Sequence, residues 1–226
     1  MSPSALARRS KYVVFLGGSP SNANDGNSHA QPRLWSRALG GFLALGVILL
    51  TAACDGGSTI AAARLNQLVL TEQDMPGFRT FYNGAQVRLD NQGTNRVDAA
   101  RFGREGGWIS RFHPAVSTTT SGPLVVESRA DLFKTSDGAK SDFAAYKTLL
   151  SKAGSVRQEI VVLGLTPDTK GVTFTQPGGR TLRFFQIAWR DRNATASITV
   201  EGFDGDITQE QAIALAKKQQ AHIKGA

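Results

Sequence analysis

Nucleophilic, metal-assisted and proton-transfer chemistry each leave a mark in residue type and spacing, and few such marks are present. A hydrolase needs a nucleophile, a base and a group that orients the base. Beyond residue 54 the bases on offer are His113 and His222. His113 precedes Pro114 at the end of an expected strand. His222 falls near the end of the last expected helix, where it can complement the carbonyl end of the dipole. No His-x-x-x-His, Cys-x-x-Cys or EF-hand spacing occurs, so no metal ligand set is expected. Asp204-Gly205-Asp206 lacks the downstream glutamate of a calcium loop and reads as a turn. Gly103-Arg104-Glu105-Gly106-Gly107 and Gly17-Gly18-Ser19 lack the lysine of a phosphate loop. Asn193-Ala194-Thr195 fits a glycosylation sequon and reads more simply as part of a hairpin turn. The expectation is a chain without catalytic residues or cofactor.

Two leads remain. The first is a set of aromatic residues on expected strands with arginines beside them: Trp108, Phe184, Phe185 and Trp189, with Arg183 and Arg190. Consecutive Phe184 and Phe185 must face opposite sides of a sheet. If helices cover both faces, these side chains are core. If one face is incompletely covered, Phe184 or Phe185 with Trp108 and Trp189 would line an apolar pocket or partner surface, and an arginine could meet an acidic group there. The second lead is Cys54, the single cysteine of the 226-residue chain. It excludes an internal disulfide and a cysteine-rich metal site.

The context of Cys54 gives it a role. Arg33 and Arg37 precede an apolar run from Ala38 to Leu50, followed by Thr51-Ala52-Ala53-Cys54. This is a charged region, an apolar region and small residues before a cut. The 16 uncharged residues from Ala38 to Ala53 fall short of the roughly 20 that cross a bilayer as a helix. The segment from Arg33 to Cys54 resembles the signal peptide and lipobox of bacterial lipoproteins, with Thr51 where leucine is commonest. The resemblance implies a diacylglyceryl group on the Cys54 sulfur, cleavage before it and acylation of the new amino terminus. Two or three acyl chains anchor a protein stably where one does not. A retained signal anchor would leave the same domain on the same side of the membrane. Residues 1–32 show no hydrophobic periodicity and read either as a disordered cytoplasmic extension or as a mis-assigned translation start.

The leader also accounts for half of the charge. Of the net +8, Arg8, Arg9, Lys11, Arg33 and Arg37 against Asp25 lie before Cys54. The remaining basic residues are scattered among acids, so no nucleic-acid partner is expected.

Residues 54–59 read as a polar tether and 60–226 as one exported domain. From Ile60 to Leu70, Ala61, Leu65, Leu68 and Val69 fit a helical stripe capped by Ser58 or Thr59. Thr71 and Asp74 begin a single turn that Pro76-Gly77 ends. Gly107–Phe112 and Leu124–Phe133 favour strands. Ser136-Asp137-Gly138 opens a helix with Ala139, Phe143, Tyr146 and Leu150 on one face and Gly154 past its end. Strands resume over Val156–Leu163, around Val172-Thr173-Phe174, and in a hairpin of Thr181–Arg190 with Ala194–Glu201. Its turn is Asp191-Arg192-Asn193, with Asn193 able to take the left-handed conformation. Thr208 and Gln211 form a capping box that launches a helix through Ala212, Ala216, Gln219 and Ile223. Strands grouped centrally with helices before, between and after them predict an α+β fold, an antiparallel sheet packed by N-terminal, central and C-terminal helices.

Leu-Thr-Glu-Gln-Asp-Met-Pro-Gly-Phe at Leu70–Phe78, the strand Leu124–Phe133 followed by a helix with Ala139 and Phe143, and the late strand pair with Arg190 and Asn193 resemble the exported domains of bacterial lipoproteins and the extracellular sensor-like domain of PknH-type receptor kinases. Those domains are usually cross-linked by cysteines, which this domain lacks. The resemblance supports the fold more than any ligand. The role expected of the chain is extracytoplasmic binding or sensing at the bacterial membrane, with an envelope protein or a small hydrophobic ligand as partner. A lipid carrier with an apolar cavity between sheet and helices is the alternative.

Overall fold

The computed structural model describes residues 58–86, 100–116, 121–152 and 157–226. The expected extension, signal peptide, Cys54 and most of the tether lie outside the described residues, as do Gly154 and Val156.

Strands β1 (Phe78–Ala85), β2 (Arg104–Pro114), β3 (Pro123–Phe133), β4 (Gln158–Ile160), β5 (Thr169–Gln176), β6 (Leu182–Asp191) and β7 (Ala194–Phe203) form one sheet in the order β1-β2-β3-β7-β6-β5-β4. Every neighbouring pair is antiparallel. Helix α1 (Ser136–Lys152) follows β3, and α2 (Gln209–Gly225) follows β7.

Side chains alternate along a strand, so the register sorts them into two faces. On one, Phe112, Val126, Val200 and Phe185 stand in a cross-strand row. Ile198 with Ile187 and Ala196 with Trp189 make the next two rows. Helix α2 lays Ala212, Ala216 and Ile223 on this face, and the N-terminal segment lays Ile60, Leu68, Val69, Leu70 and Met75 beside it. The whole forms a single buried cluster and is called the closed face below. On the opposite face α1 packs Phe143 and Leu150 against Val172 and Ala188. Gln186 Nε2 donates to the Tyr146 hydroxyl at 2.5 Å.

Both capping signals in the sequence form: Thr71 with Asp74, and Thr208 with Gln211. Three expectations are corrected. The N-terminal segment is a 3-10 helix over Ala62–Gln67 with Ala61 at its cap and no side-chain cap bond, not an α-helix through Leu70. Leu68, Val69 and Leu70 are all buried, and three consecutive residues cannot share one helical face. The chain extends instead, and the Leu70 N–H donates to Ser128 Oγ at 3.0 Å. The strand expected over Val156–Leu163 pairs only at Gln158–Ile160, and Val161 and Leu163 are 72% and 73% exposed. In the β6–β7 turn Arg192, not Asn193, takes the positive φ, at 50°. The β1 strand is an addition that the sequence reading did not make.

Asn193 is 2% exposed and its side-chain amide is fully used. Oδ1 accepts from the Ile60 N–H at 2.7 Å, and Nδ2 donates to the Ile60 carbonyl at 3.1 Å and the Phe133 carbonyl at 2.8 Å. Truncation would leave three backbone groups unpaired inside the protein, each costing roughly 1–3 kcal/mol. Asn193→Ala is therefore expected to lose about 3 kcal/mol or more, a drop of about 6–12 °C in Tm for a domain of this size. Calorimetry of the variant against the parent chain checks this; a change within about 0.5 kcal/mol, as for an unremarkable surface site, would refute the role.

Candidate functional site

The six residues singled out from the sequence do not converge. Trp189 and Phe185 belong to the closed-face cluster, and the Trp189 indole N–H donates to Gln220 Oε1 at 2.5 Å. Arg183 pairs with Asp204 at 2.8 Å and Arg190 with Asp168 at 2.8 Å. Trp108 lies toward the other edge, where its indole N–H donates to Asn83 Oδ1 at 2.5 Å. It lines an open recess of about 450 Å³ with Leu65, Gln86 and Arg104. Phe184 and Arg190 point to the face that α1 occupies, and Arg190 Nη1 donates to Ser136 Oγ at the start of α1 at 3.1 Å. The side chains an apolar cavity would have used on the α2 side are packed core.

The face under α1 is unlike the closed one. Strand β3 presents Glu127, Arg129 and Asp131 to it, and β7 presents Thr195, Ser197, Thr199 and Glu201, directly opposite Phe184 and Val125 at its far end. Arg104 Nε donates to Asp131 Oδ1 at 2.6 Å, with side-chain exposures of only 10% and 3%, and Arg104 Nη2 donates to the Gln86 carbonyl at 2.8 Å. Glu127 takes Arg111 at 2.7 Å and Arg129 at 3.6 Å. The charges thus run as a laterally paired ladder across β2 and β3. Across β7 from it, on β5 and β6, runs a row of rings. The Arg157 guanidinium sits 4.6 Å from the Phe174 centroid, and Phe174 stacks on Phe184 at 4.7 Å and 4°.

Helix α1 lies over the end of this face marked by Gln186, Ala188 and Arg129, and the described residues place no helix over the other end. There Val125, Phe174, Leu182, Phe184, Glu201 and Phe203 are only half-buried. This end is an open, partly apolar face among the described residues. Sequence reasoning missed Glu127, Arg129 and Glu201. The signal was the strict polar alternation in β3 and β7: the neighbours of both are strands, yet every second residue from Thr195 to Glu201 is polar, which a sheet buried on both faces would not tolerate.

The histidines serve structure. His222 Nε2 lies 3.2 Å from Asp74 Oδ1 and its Nδ1 lies 3.2 Å from the Gln67 carbonyl, so both nitrogens face acceptors and neither faces a hydroxyl. Burial raises the Asp74 carboxyl, but the Thr71 N–H and hydroxyl and His222 outweigh it, and the group ends below its ordinary value. His113 Nδ1 sits 2.9 Å from the Pro114 carbonyl, on an exposed strand end.

The fold is similar to that of the extracellular domain of PknH from Mycobacterium tuberculosis, with a TM-score of 0.57 at 15% sequence identity over 76% of this chain and 100% of that one. At that identity the likeness is one of fold. No family model matches the sequence, and no curated protein matches it.

Two stability tests follow from this geometry. A Cβ on Gly107 would stand 2.0 Å from Arg104 Nη2 and 2.5 Å from Asp131 Oδ1, so Gly107→Ala must push the buried pair apart. A loss of about 2–4 kcal/mol is expected in chemical denaturation with the slope unchanged; a neutral result would show that the pair moves freely. For Asp74, a carboxyl lowered by folding stabilises the native state above its ordinary value of 3.8 and loses that increment as pH falls through the lower folded value. Asp74→Asn should lower stability at neutral pH and flatten the stability profile below pH 3.8. A profile parallel to that of the parent chain would refute the assignment.

Proposed function

We propose that this chain is a non-catalytic, extracytoplasmic binding or sensing domain, held at the bacterial membrane by lipid on Cys54, with the open face of the sheet as its working surface. The observation that carries the reading is the unequal cover of the sheet. Helix α2 and the N-terminal segment seal one face, while α1 leaves the end around Phe184 and Glu201 half-exposed. The fold likeness to the extracellular domain of PknH supports the location, and the lipoprotein-like leader supports the anchor. The absence of catalysis is supported by His222, both of whose nitrogens are engaged. A lipid carrier is not favoured, because Trp189 and Phe185 fill the sheet–α2 interface.

The anchor is tested by labelling cells with an alkynyl fatty acid. The parent chain should take the label and fractionate with membranes, and Cys54→Ser should lose the label; unchanged labelling and membrane retention would refute the anchor. A chain that keeps membrane retention without label would instead be a retained signal anchor. The working surface is tested by hydroxyl-radical footprinting of the full chain. Phe174 and Phe184 should oxidise several-fold faster than the buried Phe112 and Phe143, and equal protection would mean that the face is sealed.

A further inference from the structure

Strands of 10 to 11 residues span roughly 33–36 Å, and a helix with its side chains is about 10 Å across. One helix therefore cannot cover this face. α1 shows how the face accepts a helix, by setting Phe143, Tyr146 and Leu150 onto Val172, Ala188 and Gln186. Among the described residues the other end carries no helix; there the row through Phe184 crosses β5, β6, β7 and β3, with Leu182, Phe184 and Val125 half-buried.

One member of the row there is incomplete. Arg157 caps Phe174, Phe174 stacks on Phe184, Phe184 stands across from Glu201, and Glu201 stands across from Val125. The other acids of this face are paired: Asp131 with Arg104, Glu127 with Arg111 and Arg129. Glu201 has no hydrogen bond or ion pair among the described residues. Burial acts on its carboxyl uncompensated and pushes it up. A desolvated carboxylate between a phenyl ring and a valine is satisfied by a cation carried on an apolar support.

We propose that the uncovered half of the open face docks a basic amphipathic helix of a partner protein, with apolar side chains on Leu182, Phe184 and Val125 and a lysine or arginine on Glu201. This rests on the reading of the open face as the working surface and specifies the chemistry of what it binds. The docked helix lies beside α1 on the same sheet, and its cation ends the row that Arg157 begins.

The probes are a short fluorescent Leu/Lys amphipathic helix and its Leu/Glu counterpart, titrated onto the full-length chain by anisotropy with footprinting of Phe184 in parallel. The Leu/Lys helix should bind about tenfold tighter than the Leu/Glu helix, the size of effect a partly desolvated charge pair gives, and should protect Phe184. Glu201→Gln, which removes an unpaired charge and so leaves the fold intact, should abolish the preference. Glu201→Lys should reverse it, and Glu210→Gln, an exposed acid on α2, should change nothing. Protection of Phe184 by both helices alike, or a preference that survives Glu201→Gln, would overturn the inference and leave the open face standing as a binding surface. Failure of both helices to protect Phe184, or protection that rises with the concentration of the chain alone, would count against both readings.

Discussion

The side-chain amide of Asn193 is the point on which the closed face depends. It joins segments 133 and 60 residues apart in sequence, and joins them where the chain enters the sheet. With Ile60 held against the β6–β7 turn, the chain runs back through the 3-10 helix and delivers Leu68, Val69 and Leu70 over β2 and β3. Released, those residues would no longer cover the closed face over β2 and β3. The buried position of Asn193 also closes the sequon to modification, and it explains why the left-handed strain of the turn falls on Arg192. An asparagine bonded at both ends of its amide is not free to relax into the conformation its type prefers.

The two faces of the sheet are stabilised by different physics. The closed face is buried apolar area, sealed by α2 and the N-terminal segment, and it gains most of its free energy from exclusion of water. The open face holds its charges in lateral pairs at the sheet surface, where each pair offsets the desolvation of its members and contributes little net stability. Gly107 is the local condition for the most buried of these pairs, because the Arg104 guanidinium crosses over its Cα to reach Asp131. Such pairing keeps a half-covered face compatible with a single folded structure. It does not seal that face.

Much of the fold was legible in the sequence wherever local signals and tertiary packing agree. The capping box at Thr208 and the stripe Ala212, Ala216, Gln219 and Ile223 specify α2, and all four stripe residues are fully buried. The β6–β7 hairpin and α1 are legible for the same reason. Local signals failed where packing overrides them. The N-terminal segment has helical spacing, but a wide sheet needs three consecutive buried side chains from it, which only extended chain supplies. β1 is an edge strand with most of its residues exposed, so it shows none of the alternation by which strands are recognised. The candidate site was legible only in part. Sequence placed Phe184 and Phe185 on opposite faces, but which face stays open depends on where α1 crosses, and that is set by long-range contacts.

That dependence also explains why aromatic content pointed to the wrong residues. Trp189 and Phe185 are conspicuous in sequence and are consumed by the core, because the largest apolar side chains gain most from full burial. The informative residues are the polar ones in places that full cover would forbid. Glu127, Arg129 and Asp131 on a strand with partners on both sides mark a face the protein does not close. The acids of that face differ in their pairing. Asp131 and Glu127 are answered by arginines of this chain and serve its own folding. Among the described residues Glu201 is desolvated without an answering charge, a cost that the proposed cationic partner would offset.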